Sequence, residues 1–216
     1  NVEFTVLDET ALEGNIDKIL PRKNVLIRPA SANVDQALVV FAITQPDPNF
    51  NLLDRFLIMM LAQDIPVTIC FNKTDLENGA NKQEYRSIYE QAGYPVMFVS
   101  TYEKSGVEAV RDYLRGKTTI LAGPSGVGKS SLTNLLQPEA AMETGSISEK
   151  IKRGKHTTRH AELFCVEEDT YLMDTPGFST LYLEGWEKED LKYYYPEFEA
   201  YFEHCRFNGC NHLSEP

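Results

Sequence analysis

The sequence has no apolar run long enough to cross a bilayer: residues 56–62, as long as any, fall far short of the roughly 20 residues a spanning helix needs. No basic segment followed by a secretory apolar core opens it. It carries no internal repeat and no low-complexity tract. Cysteine is scarce, with four in 216 residues. Positive charge is short too: 21 Lys and Arg against 32 Asp and Glu leave a net charge of −11, which argues against a protein that coats nucleic acid over its whole surface. The length suits one ordinary domain with smaller attachments, and a cytoplasmic protein away from membranes is expected. The first residues, Asn1-Val2-Glu3-Phe4-Thr5-Val6, read as a strand already under way, and Leu213-Ser214-Glu215-Pro216 reads as a cut end. Both ends are therefore expected to continue in a longer protein.

What is present is a regular alternation of strand and helix. Residues 2–7 and 25–27 are short β-like runs, the expected remnant of a small β domain. Residues 36–44 form a continuous apolar run rich in β-branched and aromatic side chains, which fits a strand buried on both faces of a parallel sheet. Residues 49–63 predict a helix with Leu52, Leu53, Phe56, Leu57, Met60 and Leu61 on one side. Strands are predicted at 67–71, 96–99 and 118–122, and helices at 81–92, 105–114 and 129–136. Residues 163–166 and 171–173 read as paired strands. The pattern predicts an α/β doubly wound sheet. From Trp186 the composition turns acidic and aromatic with helical patterning, so a boundary is placed near Gly185. Cys70 and Cys165 lie in apolar or strand-like segments and are expected to be buried core thiols. Cys205 and Cys210, with His212 beside them, point to metal more than to a disulfide.

The chemistry is carried by four motifs. Gly123, Pro124, Ser125, Gly126, Val127, Gly128, Lys129 and Ser130 fill the P-loop pattern between a predicted strand and a predicted helix, with Ser131 following. Such glycines let backbone N–H groups turn toward phosphate oxygens, and the helix N-terminus adds positive potential. Lys129 would reach the β and γ phosphates, and the Ser130 hydroxyl would ligate Mg²⁺. A chance glycine-rich turn would not match every fixed position in the right context. Asn72-Lys73-Thr74-Asp75 follows the strand at 67–71. The Asp75 carboxylate can accept from guanine N1–H and the N2 amino group, a donor pair that adenine lacks. Asn72 can contact the base edge and the Lys73 stem can lie over the ring. Ser100-Thr101-Tyr102-Glu103-Lys104 is a looser match to the fifth GTPase motif, with Thr101 where alanine is usual. Asp174-Thr175-Pro176-Gly177 follows an apolar strand and fits the DxxG motif, although an ordinary Pro-containing turn would read similarly. There Asp174 would hold Mg²⁺ through water and the Gly177 N–H would sense the γ-phosphate.

Between the P-loop and Asp174 lie His156, Thr157 and Thr158, where a switch threonine is expected to close the Mg²⁺ shell; Thr158 is favoured over Thr157. The residue after the DxxG motif is Phe178, which cannot orient water as a glutamine would, so His156 becomes the candidate for that work. Lys150, Lys152, Arg153, Lys155 and Arg159 make this stretch basic and free of acids. A charge run is commonly a solvated face, but overlap with a switch makes a functional loop the better expectation. A P-loop kinase or ATPase is the rival enzyme class, opposed by Asp75 and the DxxG motif. A module that holds GTP only structurally is the non-catalytic rival, opposed by Lys129, Ser130 and Asp174.

The motif order is base-reading, fifth, P-loop, switch I, switch II, whereas an ordinary GTPase begins with its P-loop. With that permuted order, Lys155-His156-Thr157-Thr158, and then Cys205-x4-Cys210-x-His212, the chain resembles the RsgA (YjeQ) family, the ribosome small subunit-dependent GTPases. The resemblance implies an N-terminal OB-fold whose C-terminal part is residues 1–30, a circularly permuted GTPase domain at 31–185, and the start of a zinc-binding domain at 186–216. It implies GTP and GDP with Mg²⁺ at the nucleotide site and one Zn²⁺ per full-length chain. Cys205, Cys210 and His212 would be zinc ligands, and the fourth, a cysteine a few residues beyond His212, would fall past Pro216. It implies action late in small (30S) subunit maturation, contact with its rRNA, stimulation by the subunit, and a monomeric protein.

Overall fold

A computed structural model of the chain describes residues 1–11, 13–26, 30–76, 80–137, 162–175, 187–206 and 210. It forms two compact units, Asn1–Val34 and Asp35–Pro216. In the first, β1 (Val2–Asp8) pairs antiparallel with β2 (Glu13–Ile19), and β3 (Val25–Leu26) with β4 (Ser31–Ala32). The Asp8 carboxylate accepts from the Thr10 and Ala11 N–H groups at 2.8 and 2.9 Å. That turn reverses the chain into β2. The sequence reading does not include β2, because Glu13-Gly14-Asn15-Ile16-Asp17-Lys18-Ile19 has few residues that favour strands.

The second unit is built on a six-stranded sheet in the order β7-β6-β5-β8-β10-β9. Its strands are β5 (Gln36–Ala42), β6 (Val67–Asn72), β7 (Val96–Phe98), β8 (Thr118–Ala122), β9 (Glu162–Glu167) and β10 (Thr170–Asp174). All neighbours run parallel except β9, which lies antiparallel at the edge beside β10. β5 and β6 are buried at every position, as expected for parallel strands covered on both faces. After β5 the chain builds β6 and β7 on one side, then crosses to β8 on the other. Ligands bind at such a switch point, beyond the strands' C-terminal ends.

Helices α1 (Phe50–Leu61), α2 (Ala80–Gln91), α3 (Val107–Leu114) and α4 (Lys129–Leu136) cover the sheet. On one face Leu38, Val40, Leu121 and Leu172 pack with Val110 and Leu114 of α3 and Leu132 and Leu136 of α4. Elsewhere in the core Phe41 meets Phe56 of α1 edge-on at 6.4 Å, and Phe71 meets Tyr85 of α2 at 5.2 Å. Asn49 caps α1 by accepting from the Leu52 N–H at 3.1 Å, as a short polar side chain does at a helix start. This helix is buried around more of its circumference than a single stripe. Ile58 and Met59 are buried and Leu61 is only half-buried, because residues 56–60 are apolar without interruption. α3 begins two residues later than its pattern predicts: Ser105 pairs with Ser100, and Gly106 takes a left-handed φ of 74°.

Cys70 is buried, and burial pushes its thiol up to about 12. Cys165 corrects the expectation of a core thiol, for it is exposed. On the edge strand β9 the inward positions are Phe164 and Val166, and Cys165 shares the outer side with the exposed Leu163. The C-terminal stretch is wound as 3₁₀ helix at Lys188–Tyr194 and Pro196–His204. Among the described residues no helix is long and apolar enough to cross a membrane.

Candidate nucleotide site

The motif segments converge at the C-terminal ends of β6, β7, β8 and β10. Asn72, the last residue of β6, is wholly buried and joins three of them. Its Nδ2 donates to the Val127 carbonyl of the P-loop at 2.9 Å, and its Oδ1 accepts from the Thr101 N–H at 3.1 Å. Asn72 is thus a tether between the loops expected to read the base and bind phosphate. Gly128 makes the approach possible: its φ is 95°, and a Cβ there would lie 2.3 Å from Asn72 Nδ2. Gly123 answers the same need beside β5, where a Cβ would fall 2.1 Å from the Val40 carbonyl oxygen.

Asp75 sits in the 3₁₀ turn Thr74–Leu76 and is half-buried. The Ser100 hydroxyl donates to its Oδ1, and Ser100 Oγ accepts from the Glu103 N–H at 3.0 Å. Thr74 Oγ1 donates to the Val99 carbonyl at 3.0 Å, locking the turn to the strand that carries the fifth motif. Lys73 has a left-handed φ of 64°, and its ammonium donates to the Gln45 carbonyl in the loop after β5.

On the phosphate side Lys129 is buried, and its Nζ donates to the Gly123 and Pro124 carbonyls at 2.9 and 2.7 Å. Burial pushes its pKa down, and the Asp174 charge partly restores it. Ser125, Gly126, Ser130 and Ser131 are exposed around it. Asp174 ends β10 and is only 5% exposed, and its Oδ1 has no hydrogen-bond partner. Burial raises its carboxyl to about 6, against the lowering effects of Lys129 and the Thr175 N–H, and Glu162 adds to the rise. Two supports emerge only in the fold. The Thr175 hydroxyl donates to the Leu121 carbonyl at 2.7 Å, fastening the end of β10 to the P-loop strand. Arg111 of α3 donates to the Leu135 and Leu136 carbonyls at 3.1 Å each, closing the end of α4. Thr175 stands inside a quoted motif, whereas nothing in the sequence marks Arg111.

At the C-terminal end Cys205 is half-buried, with its thiol 3.3 Å from the Tyr201 carbonyl, and Cys210 is buried, with its carbonyl accepting from Lys192 at 2.8 Å. Among the described residues no three potential ligands gather into a metal cluster. His212 lies outside them, as do His156, Thr157, Thr158, Gly177, Phe178 and the basic residues between 150 and 159.

Fold and site together define a circularly permuted P-loop GTPase. Residues 19–184 match the model of a family described as RsgA GTPase. Over 215 residues the chain is 60% identical to the small ribosomal subunit biogenesis GTPase RsgA of Agathobacter rectalis, covering all of this chain and 71% of that protein. The like-named protein of Alkaliphilus metalliredigens is 51% identical, with 74% of its length covered. The crystal structure of YjeQ from Thermotoga maritima superposes with a TM-score of 0.75 at 33% identity, across the whole chain and 72% of that one. YloQ, described as a circularly permuted GTPase, gives a TM-score of 0.72 at 35% identity, with 100% and 69% coverage. The chain belongs to the RsgA GTPase family and is a GTP hydrolase. Membership implies guanine nucleotide and Mg²⁺ for this chain. The residues fit the ion: the buried, unpartnered Asp174 Oδ1 and the exposed Ser130 hydroxyl are hard oxygen donors of the kind Mg²⁺ takes.

Proposed function

We propose that the chain couples GTP hydrolysis to late maturation of the small (30S) ribosomal subunit, which stimulates its turnover. The supporting observation is the Asn72 tether, which bonds the P-loop and the fifth-motif loop to the end of β6, three residues before Asp75. The names of the relatives supply the subunit. In this reading Asp75, aimed by Ser100, accepts from guanine N1–H and the N2 amino group. Lys73 covers the base with its stem, while Thr74 and Thr101 fix the loops. The N–H groups of residues 123–131 surround the phosphates, and Lys129 exchanges its two carbonyl partners for β and γ oxygens. Ser130, Thr158 and Asp174 would hold Mg²⁺, which when bound would supply positive charge against the phosphate oxygens. His156 orients the attacking water, since Phe178 cannot. Gly177 reports the γ-phosphate to the C-terminal residues.

Docking in this reading uses Lys150, Lys152, Arg153, Lys155 and Arg159 as phosphate contacts to rRNA, presented when GTP orders the loop. A local basic patch reconciles RNA binding with a net charge of −11. Residues 1–30 belong to an OB-fold and 31–185 to the GTPase domain, and residues 186–216 begin a zinc domain. Cys205, Cys210 and His212 supply thiolates and an imidazole, which suit tetrahedral Zn²⁺. The protein works as a cytoplasmic monomer. The decisive measurement is GTP turnover by the full-length protein with and without purified 30S subunits. Stimulation is expected, and it should shrink in His156→Ala while GTP affinity stays. Equal rates with and without subunits would sink the proposal.

A further inference from the structure

Glu162, the first residue of β9, stands directly opposite Asp174 in the β9–β10 pair. Opposed residues of an antiparallel pair point to the same face, with Cβ atoms about 4.5–5.5 Å apart. That face is the P-loop helix side: Val166 and Leu172, in the same alternation, pack in one cluster with Leu132 and Leu136 of α4. The pair also lies at the end of β10 where Asp174 meets the field of Lys129 at the start of α4. Two carboxylates placed opposite one another cost stability, and neither has an ion-pair partner among the described residues. The nearby cation, Lys129, directs N–H groups at Gly123 and Pro124 instead. Asp174 keeps one oxygen buried and unpartnered, while Glu162 is exposed toward solvent.

We propose that Glu162 is a positioning residue for Mg²⁺, its carboxylate accepting a hydrogen bond from a water molecule on the ion that Ser130 and Asp174 bind. Mg²⁺ gives up its waters reluctantly, and carboxylates that hold a metal's ligands from behind affect affinity strongly. A like-charged pair then has a reason to exist, because the ion and its water lie against both carboxylates. The inference rests on the reading of Asp174 as part of the Mg²⁺ site.

The test uses the full chain loaded with a fluorescent GDP analogue, whose release is followed while Mg²⁺ is titrated from an EDTA-treated start. Glu162→Gln should raise the Mg²⁺ concentration for half-maximal nucleotide retention about tenfold, and Glu162→Asp should recover part of the loss. GDP affinity in EDTA should be unchanged. Urea unfolding without nucleotide or metal should show the Gln variant at least as stable as the parent, because a repulsive pair has gone. Asp174→Asn serves as the control and should shift the Mg²⁺ requirement further. An unchanged requirement in Glu162→Gln alongside a shifted Asp174→Asn overturns this inference alone. An unchanged requirement in both overturns the Mg²⁺-site reading with it. Weaker GDP binding in EDTA, or a less stable Gln variant, would make Glu162 a structural residue and overturn the proposal as well.

Discussion

At the base-side motif Asn72, Thr74, Ser100 and Asp75 find hydrogen-bond partners within the chain; at the phosphate-side motif the buried Asp174 Oδ1 does not. Asn72 bonds to Val127 and Thr101, Thr74 to Val99, and Ser100 to Asp75. Lys129 and Asp174 are buried charges whose own burial opposes ionisation. The base side is therefore organised before nucleotide arrives, so little ordering is left to offset its binding. The phosphate side holds an electrostatic cost that, in the proposed function, the phosphates and Mg²⁺ would relieve. Under the proposed function the difference suits a switch: the base loop would hold the nucleotide in either state, while the phosphate end would respond to what is bound.

The largest effect should come from removing the reader on the organised side. Asp75→Asn leaves the tether and the turn in place but costs two charge-assisted hydrogen bonds to guanine. At roughly 2 kcal/mol each, GTP affinity should fall about 10³-fold. Xanthosine nucleotide should gain, because the carbonyl that replaces the N2 amino group can accept from the new amide. Competition binding against both nucleotides checks this; a parent-like preference for GTP would place base recognition elsewhere.

The unsatisfied side should show the opposite behaviour, a gain of stability on mutation. The folded Asp174 carboxyl lies at about 6, above its ordinary value of 3.8. Below about pH 4 it is protonated in both folded and unfolded protein and contributes no difference. As pH rises toward 6 the unfolded chain ionises first, so stability falls, and the cost is full above about pH 6. It amounts to roughly 3 kcal/mol at neutral pH. Without nucleotide and Mg²⁺, Asp174→Asn should therefore exceed the parent by up to about that amount at pH 7 and match it near pH 4. Urea unfolding across that range is the measurement; parallel curves would show that Asp174 is not strained in the fold.

The same contrast separates what was legible in the sequence from what was not. The P-loop and the Asn72–Asp75 segment could be read because their chemistry is local: glycines, a lysine and an aspartate at fixed spacing after buried strands. The tether could not, since Asn72 and Val127 lie 55 residues apart and meet only when β6 and β8 flank β5. Arg111 reaches α4 the same way, across 24 and 25 residues. The strands of the parallel sheet stood out because both their faces are apolar. The sequence of β9 does not reveal its inner side, so Cys165 reads as a core thiol although the edge strand turns it outward. β2 escaped because Glu, Gly, Asn and Asp in a hairpin resemble a loop until the Asp8 turn sets them against β1.

The smallest effect concerns how far the organised side depends on its own bonds. Ser100 is wholly buried, yet it need not touch nucleotide. Its hydroxyl donates to Asp75 Oδ1 and accepts from the Glu103 N–H, so it fixes both the carboxylate and the loop that follows. Ser100→Ala keeps the volume nearly constant and leaves Asp75 charged and able to reach guanine. The loss is one hydrogen bond to a charged group plus an unpaired Glu103 N–H, about 1.5–2 kcal/mol together. GTP and GDP affinity should therefore fall roughly 10- to 30-fold and in parallel, because the bond lies far from the γ-phosphate. Turnover at saturating GTP should be unchanged for the same reason. Isothermal titration with both nucleotides, with single-turnover hydrolysis beside it, separates the cases. A drop confined to GTP, or a slower chemical step, would mean that the base loop is coupled to the phosphate end through Asn72 and that the two halves of the cleft are not independent.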